Sequence, residues 1–332
     1  MNRRTGPLSK HNEKGVALIS VLLVFAIVTI IAGEMLSRSY LDIKKSAAII
    51  NTKQAYLYAL SGEQFARQIL IRDYKESGAR KISDAIPQSD SLTDNWSTLK
   101  KGFDINNGKL TIEILDLQGK FNLNSLRNSD GSSNREASRQ FGRLLSVLKI
   151  KTNYVPVLAD WLDKDKKRRI NGAEDALYRE KNYLTANIEI ADRTELRLLR
   201  GFKPRDYDIL KDHVVALPQN TISDANSKTK YNINTMDAKL LEALSSSLKS
   251  KNLKNIKTIQ DGGGYNTIDQ WTNSDGGPYL LPIKEYLTIE SEYFEVTVKA
   301  LFAERMSTIR TYFHRNAKDG TIEVIKRQLT TD

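Results

Sequence analysis

Carboxylates are the side chains of this sequence that are most densely grouped for chemistry. A short acidic segment contains Asp160, Asp163, Asp165, Asn171, Glu174 and Asp175. Hard oxygen donors at this density suit Ca²⁺, which takes about 6–8 oxygen ligands. Four members match positions 1, 3, 9 and 12 of an EF-hand loop, but Lys167 takes position 5 and Arg168 stands where that loop has glycine. The segment is therefore not an EF-hand, and it predicts an irregular calcium site at most.

Basic residues in the same segment support a second interpretation. Lys164, Lys166, Lys167, Arg168 and Arg169 lie among the carboxylates and would oppose a dication. The alternative is a set of surface ion pairs and a helix cap, and exposed ion pairs contribute little to stability. A calorimetric calcium titration would distinguish the two interpretations.

Residues suited to catalysis are otherwise sparse. The chain has no cysteine, which excludes disulfides, thiolate metal sites and a cysteine nucleophile. His11, His213 and His314 are scattered, and the sequence contains no GxSxG, Walker A or HExxH motif. Glycine-rich stretches at 261–264 and 275–277 do not lie between a strand and a helix, as a phosphate-binding loop requires, and are interpreted as flexible loops. The sequence predicts that the protein is not an enzyme and requires no cofactor.

An uncharged apolar run at residues 16–33 precedes these groups. A run of about 18 residues can cross a bilayer as a helix. The fifteen residues before it carry four Lys or Arg against one Glu, which by the positive-inside rule predicts a cytoplasmic N-terminus and a single pass. The body of the chain, after the apolar run, would then lie on the side of the membrane opposite the cytoplasm.

Three interpretations of this run compete: a removed signal peptide, a retained signal anchor, and a leader of the type IV prepilin kind. The run is long for a signal peptide, and helical sequence continues after it to about residue 76. The segment KGVAL at 14–18 resembles the prepilin junction, in which the cut follows glycine. This resemblance predicts cleavage between Gly15 and Val16, with the apolar helix retained.

The remaining periodicity predicts an α+β protein. Alternation at 109–116 indicates a strand, and helical patterns follow at 137–149, 155–162, 173–178, 193–199, 204–213 and 236–248. Alternation returns at 294–300, 307–313 and 321–326. We expect a long N-terminal transmembrane helix packed on a small antiparallel, pilin-like sheet, with a large helical domain inserted between strands. The expected boundaries are a leader at 1–15, the helix at 16–76, the head at 77–120 and 286–332, and the insertion at 121–285.

Several motifs in this order resemble the protein K family of type II secretion systems, whose members are minor pseudopilins. Besides the leader junction, they are GKFNLNSL at 119–126, ADWLDKD at 159–165, GAED at 172–175, ELRLLRG at 195–201 and NINT at 232–235. Each motif is weak alone, and their order and spacing together are specific. The resemblance runs from Gly15 nearly to the C-terminus.

The resemblance implies a role in assembly. A protein K caps or initiates a periplasmic pseudopilus, with minor pseudopilins I and J as partners, and so supports export of folded proteins across the outer membrane. It also implies cleavage and methylation by prepilin peptidase, an inner-membrane location and calcium binding in the inserted domain. Ser20 stands where most pilin-like proteins carry Glu, which suits a subunit at the tip with no neighbour above it.

A membrane-anchored helix-hairpin-helix protein that binds nucleic acid is the alternative. The net charge of +11 and the short helices around Gly201 favour it. The sequence Gly201-Phe-Lys203 lacks a tight Gly-x-Gly turn, however, and Asp206, Asp208 and Asp212 lie close by. Nucleic acid is therefore not the expected partner.

Overall fold

The computed structural model describes residues 13–84, 89–99, 102–224 and 228–330, with the backbone alone at 13–14 and 77–84. Most of the expected leader and His11 lie outside the described residues.

Helices and strands alternate along the chain in a mixed order. The α-helices are α1 (Glu13–Asp84), α2 (Arg135–Val147), α3 (Tyr154–Leu162), α4 (Asp175–Tyr178), α5 (Pro204–Leu210), α6 (Ala238–Leu244), α7 (Ser250–Asp261) and α8 (Ile268–Thr272). The strands are β1 (Gly102–Ile105), β2 (Gly108–Asp116), β3 (Phe121–Asn122), β4 (Val214–Val215), β5 (Tyr231–Asn232), β6 (Leu287–Thr288), β7 (Tyr293–Phe302), β8 (Arg305–Arg315) and β9 (Ile322–Thr330). Short 3₁₀ helices occur at Leu123–Leu126, Arg179–Lys181, Arg193–Leu198, Gly277–Tyr279 and Leu281–Tyr286.

The first helix is longer than the sequence predicts. Its 72 residues span about 108 Å at 1.5 Å per residue. The helix passes through Gly78, beyond its expected end at residue 76, and ends at Asp84. A single glycine costs a helix only about 1 kcal/mol relative to alanine, which the flanking helix formers can offset.

Five strands form one antiparallel sheet in the order β1-β2-β7-β8-β9. The register pairs Ile112 with Val298 and Val298 with Ile309, so the alternating apolar residues of three strands share one face. The second half of α1 covers this face, with Ala59, Ala66 and Leu70 fully buried. The predicted antiparallel sheet with a helix packed on it is confirmed; β1, a four-residue strand, was not predicted.

The helical region enters between β2 and β7, which are neighbours in the sheet. It has its own core, separate from the core beneath α1. Aromatic side chains from β3 and from several helices contribute to it, including Phe121, Phe141, Tyr154, Trp161 and Trp271. Arg193–Leu198, which we expected to be α-helical, is a 3₁₀ helix, and α7 was not predicted. Asp192 caps the Arg193–Leu198 helix, in a capping box with Glu195.

Two asparagine motifs hold chain segments together. Asn124 links segments within the helical region, and Asn232 links this region to the sheet. Asn124 Nδ2 donates to the carbonyls of Ile190 and Leu217, each at 2.9 Å, and its Oδ1 accepts from Ile190 N at 2.8 Å. Asn232 Nδ2 donates to Ser291 Oγ at 2.8 Å and to Asp116 Oδ2 at 3.2 Å, which joins the insertion to the end of β2. Because buried amides must be paired, these motifs fix chain crossings.

Candidate functional site

The N-terminal part of α1 presents an unpartnered apolar surface. An 18-residue window of this helix has a mean hydropathy of 2.9 and no residue buried within the protein. By length and composition it can cross a membrane. Gly15 and Val16, the expected cleavage pair, lie within this helix, and no atom lies within 4 Å of a Cβ added at Gly15. Ser20 Oγ donates to the carbonyl of Val16 at 2.9 Å, so its hydroxyl is satisfied inside the helix.

A buried ion pair fixes the second half of α1 to the sheet. Glu63 is fully buried and accepts from Arg327 Nε at 2.7 Å and Nη2 at 2.6 Å, and from Thr311 Oγ1 at 2.6 Å. Beside it, Gly62 lets the helix approach closely, since an added Cβ would lie 2.7 Å from Val298 Cγ1. These contacts hold the helix in one position on the sheet.

The structure divides the six predicted calcium ligands into two groups. Asp160, Asp163 and Glu174 are buried. Asp165 and Asn171 are exposed, Asp165 Oδ1 accepts from Lys167 N at 2.7 Å, and Asn171 adopts a positive φ of 61°. The structure therefore brings a smaller set together than the sequence suggested.

Asp175, the sixth expected ligand, has other partners. Its Oδ1 accepts from Thr185 Oγ1 at 2.9 Å and from Thr185 N at 3.1 Å. Its Oδ2 pairs with Lys166 Nζ at 3.3 Å. The hydrogen bonds from Thr185 lower the pKa of the Asp175 carboxyl.

Arg169 lies against two of the buried carboxylates, Asp160 and Asp163, and the loop cluster is defined here as these three residues together with Glu174. Arg169 Nη1 donates to Asp160 Oδ1 at 2.6 Å and also to Asp163 Oδ2. Its backbone N donates to Asp160 Oδ2 at 3.2 Å. The guanidinium remains 32 % exposed, whereas the Asp160 and Asp163 side chains are 0 and 1 % exposed.

Two carboxylate oxygens of the loop cluster are left over. Asp163 Oδ1 and Glu174 Oε1 are buried and have no hydrogen-bond partner. Burial raises the pKa of Asp163 and of Glu174, and the charges of Asp160 and Asp163 raise that of Glu174 further. Buried acceptors without donors are costly, so the loop cluster has unused capacity for a cation.

A second acidic group, which the sequence did not indicate, lies where α1 meets the ends of the strands. We define the head cluster as Asp73, Asp90, Asp94 and Arg315. Among the described residues, it contains the one trio of carboxylates whose oxygens all lie within 4.8 Å of one another. Arg315 Nη2 donates to Asp90 Oδ1 and to Ser291 O, each at 2.7 Å, and Nη1 lies 3.3 Å from Asp73 Oδ2. Residues so distant in sequence leave no local signal.

Burial shifts two carboxyl groups in this region into the neutral pH range. It raises the pKa of Asp73 to about 7, with the Asp90 charge adding to the rise and Arg315 opposing it. It raises the pKa of Asp116 to about 6, against hydrogen bonds from Ser291 and Thr235. Asp73 belongs to the part of α1 that packs on the sheet, well beyond the apolar run.

A serine, a histidine and a glutamate also meet in the structure. Ser223 Oγ and Glu292 Oε2 both approach His314 Nε2, at 3.1 and 3.3 Å. A catalytic triad places the acid and the serine on opposite ring nitrogens. Here they share one nitrogen, and Nδ1 is buried without a partner, so the arrangement is not a triad.

The segment of the helix-hairpin-helix alternative packs into the inserted region. Tyr154 Oη donates to Asp206 Oδ2 at 2.7 Å and lies 3.2 Å from Gly201 O, and Leu196 and Leu210 are fully buried. The turn at Gly201 thus has a structural role.

A long helix whose first half is apolar and exposed, and whose second half covers an antiparallel sheet, defines a pilin-like protein. This one differs by the helical insertion between β2 and β7.

Comparison with known proteins identifies the family. The family model described as Type II secretion system (T2SS), protein K, matches residues 119–219. The type II secretion system protein K of Aeromonas hydrophila is 31 % identical over 340 residues, covering 96 % of this chain and 98 % of that protein. The protein K of Klebsiella pneumoniae is 34 % identical over 246 residues, covering 70 and 71 %. The chain belongs to the type II secretion system protein K family and is a minor pseudopilin.

A solved structure confirms the fold. A chain in the crystal structure of the GspK-GspI-GspJ complex from the type 2 secretion system of enterotoxigenic Escherichia coli matches with a TM-score of 0.71. The match covers 87 % of this chain and 100 % of that chain, at 22 % identity.

Proposed function

We propose that this chain forms the tip of a type II secretion pseudopilus, where it assembles with minor pseudopilins I and J and initiates or caps the filament. The helical insertion carries the proposal. It adds a second folded body to a pilin-like head, and this bulk would block stacking of a further subunit above. The complex named for the matching structure supports the choice of partners.

The apolar surface of α1 is the proposed contact with the helices of these partners. Its side chains from Val16 to Ile31 are exposed, and the same surface would lie in lipid before assembly. We propose the inner membrane as its location, with the body in the periplasm. We propose a structural role, because the chain belongs to a family of secretion-system components.

Co-purification and export together test the assembly role. The chain, extracted from membranes with I and J, is expected to yield a ternary complex, and its clean deletion to reduce both pseudopili and export. Complementation with the intact gene is the control and should restore both. Normal export in the deletion strain would contradict the proposal.

Ser20 is the proposed marker of the tip position. Its hydroxyl is satisfied within the helix, whereas a carboxylate there would need a partner in an apolar setting. In the same assay, Ser20→Ala should keep function and Ser20→Glu should reduce it. Equal function of the two variants would remove Ser20 from the argument.

Prepilin peptidase is the proposed processing enzyme, with cleavage between Gly15 and Val16. Intact mass and N-terminal sequencing of the membrane-extracted chain are expected to show a start at Val16 with a methyl group on its amine. A start at Met1 would indicate an ordinary anchor, and a start beyond Gly33 a removed signal.

Calcium is the proposed ligand of the loop cluster. Asp160, Asp163 and Glu174 would hold the ion, because two of their buried oxygens have no partner. Calcium would supply a dication that joins the end of α3 to the start of α4. The melting temperature of the full chain should rise with millimolar CaCl₂, and Asp163→Asn should abolish the rise.

A further inference from the structure

Arg169 is the residue of the loop cluster whose role the calcium proposal does not explain. Its guanidinium lies on two of the three buried carboxylates, and hydrogen-bonds to Asp160 and to Asp163. Burial opposes the charge of Arg169, but these hydrogen bonds outweigh it and raise its pKa. The chain thus supplies its own cation where a dication would bind.

The loop backbone holds Arg169 close to this position. Arg169 N donates to Asp160 Oδ2, and Gly172 N donates to Arg169 O at 3.0 Å. A Cβ at Gly172 would lie 2.0 Å from Asp160 Oδ2, so the chain wraps tightly around this carboxylate. The Arg169 side chain is one-third exposed, so it already borders solvent.

One guanidinium does not neutralise the cluster. Arg169 is hydrogen-bonded to two of the three buried carboxylates, and Asp163 Oδ1 and Glu174 Oε1 remain without donors. A dication would supply more charge and could accept these oxygens as ligands. Both cations need Asp160 and Asp163, so they cannot be bound in full at the same time.

We infer that Arg169 is a built-in counter-ion that closes the loop cluster in the metal-free chain and must be displaced when Ca²⁺ binds. This inference rests on the proposed calcium site. The exchange of Arg169 for calcium would therefore switch the 163–172 loop between two states. Without metal the loop is held by its own arginine, and with metal the arginine turns to solvent.

Two substitutions that remove the same charge test the exchange. Arg169→Gln removes the bound guanidinium, and Arg168→Gln removes its exposed neighbour. In the detergent-solubilised full chain without calcium, R169Q should melt lower than wild type and R168Q should match wild type. With calcium, R169Q should bind at least tenfold more tightly than either and show the largest rise in melting temperature.

Tryptic cleavage of the loop gives a second readout. Without calcium, cleavage after Lys166, Lys167 and Arg168 should be faster in R169Q than in wild type, and calcium should suppress it. Arg169→Lys keeps the positive charge but lacks the planar guanidinium. Its cleavage rate should lie between those of wild type and R169Q, which keeps the test valid if R169Q folds poorly.

Each failure has a distinct meaning. If wild type binds calcium and R169Q binds no more tightly than R168Q, the exchange is wrong and the calcium site stands. If none of the three chains binds calcium, both the site and the exchange are wrong. A gain equal in both variants would show that the net charge of the loop, and not the contact of Arg169, sets the affinity.

Discussion

At the scale of single residues, Asp73 is the group through which pH acts most directly on the fold. It faces Asp90, Asp94 and Arg315 of the head cluster. Its pKa is raised from 3.8 to about 7, so between these values the folded chain binds more protons than the unfolded chain. The free energy of unfolding should therefore rise as pH falls through about 7.

Asp73→Asn tests this dependence. The variant should be more stable than wild type at pH 8, because the carboxylate at position 73 no longer has to be charged. Its stability should also change less between pH 8 and 6. Denaturant unfolding of the full chain at pH 6, 7 and 8 measures both effects. Asp104→Asn, on the exposed side of β1, removes the same charge as a control and should follow wild type. A parallel profile for D73N would contradict the assignment.

The residue scale is also where sequence reasoning was weakest. The carboxylates at 160–175 were visible because they are close in sequence, but their burial and the hold of Arg169 on them depend on how the loop folds. The head cluster joins Asp73, Asp90 and Arg315 across most of the chain. No local sequence pattern could predict this cluster.

At the scale of elements, the close packing of α1 on the sheet depends on Gly62. An added methyl would meet Val298 Cγ1 at 2.7 Å, and Val298 is a fully buried residue of β7. Valine has little rotamer freedom to move aside. Overpacking costs about 1–3 kcal/mol, which exceeds the roughly 1 kcal/mol gained when alanine replaces glycine in a helix.

Gly62→Ala should therefore lower the free energy of unfolding by about 1 kcal/mol. Gly142→Ala in α2 is the matched control, because its Cβ would lie 3.6 Å from Val155 Cγ2, an ordinary contact. G142A should raise stability by up to about 1 kcal/mol. Denaturant unfolding measures both, and a stabilised G62A would show that the sheet can shift away from the helix.

Elements with strong periodicity were predictable, and short ones were not. The strands β7 and β8 have ten and eleven residues, and their apolar residues Val296, Val298, Ile309 and Phe313 lie in the core under α1. The strand β1 has four residues and pairs with β2, to which it is joined by a tight turn that includes Asn107. Periodicity also did not separate the 3₁₀ helix Arg193–Leu198 from an α-helix, since both place apolar residues three or four apart.

At the scale of the whole molecule, two cores make the insertion a candidate for independent folding. Its core residues range from Phe121 to Ile289 and exclude the core under α1. A fragment of residues 117–292 should fold and melt cooperatively, as followed by circular dichroism. The fragment 117–219 is the control: it lacks core residues from Tyr231 to Ile289 and should not. Absence of a cooperative transition in the longer fragment would show that the head is required.

The overall plan could be predicted because the sheet pattern stops after β2 and resumes far along the chain. The register of β2 against β7 could not, because both strands alternate and a shift by two residues preserves the pattern. The structure fixes it through contacts at the junction, where Asn232 reaches Asp116 and Ser291.

The connection between β2 and β7 has a consequence for the order of folding. These strands pair Asp116 with Phe294, and closing a loop of about 180 residues costs on the order of 4–5 kcal/mol in chain entropy. Once the insertion has collapsed around its own core, its two ends lie together, with Leu117 N donating to Tyr293 O at 3.0 Å. Most of the loop-closure entropy has then already been lost, so β2 and β7 can pair as if a short turn joined them. We therefore expect the pilin-like sheet to be completed last, so that an emerging chain forms the inserted region before the head.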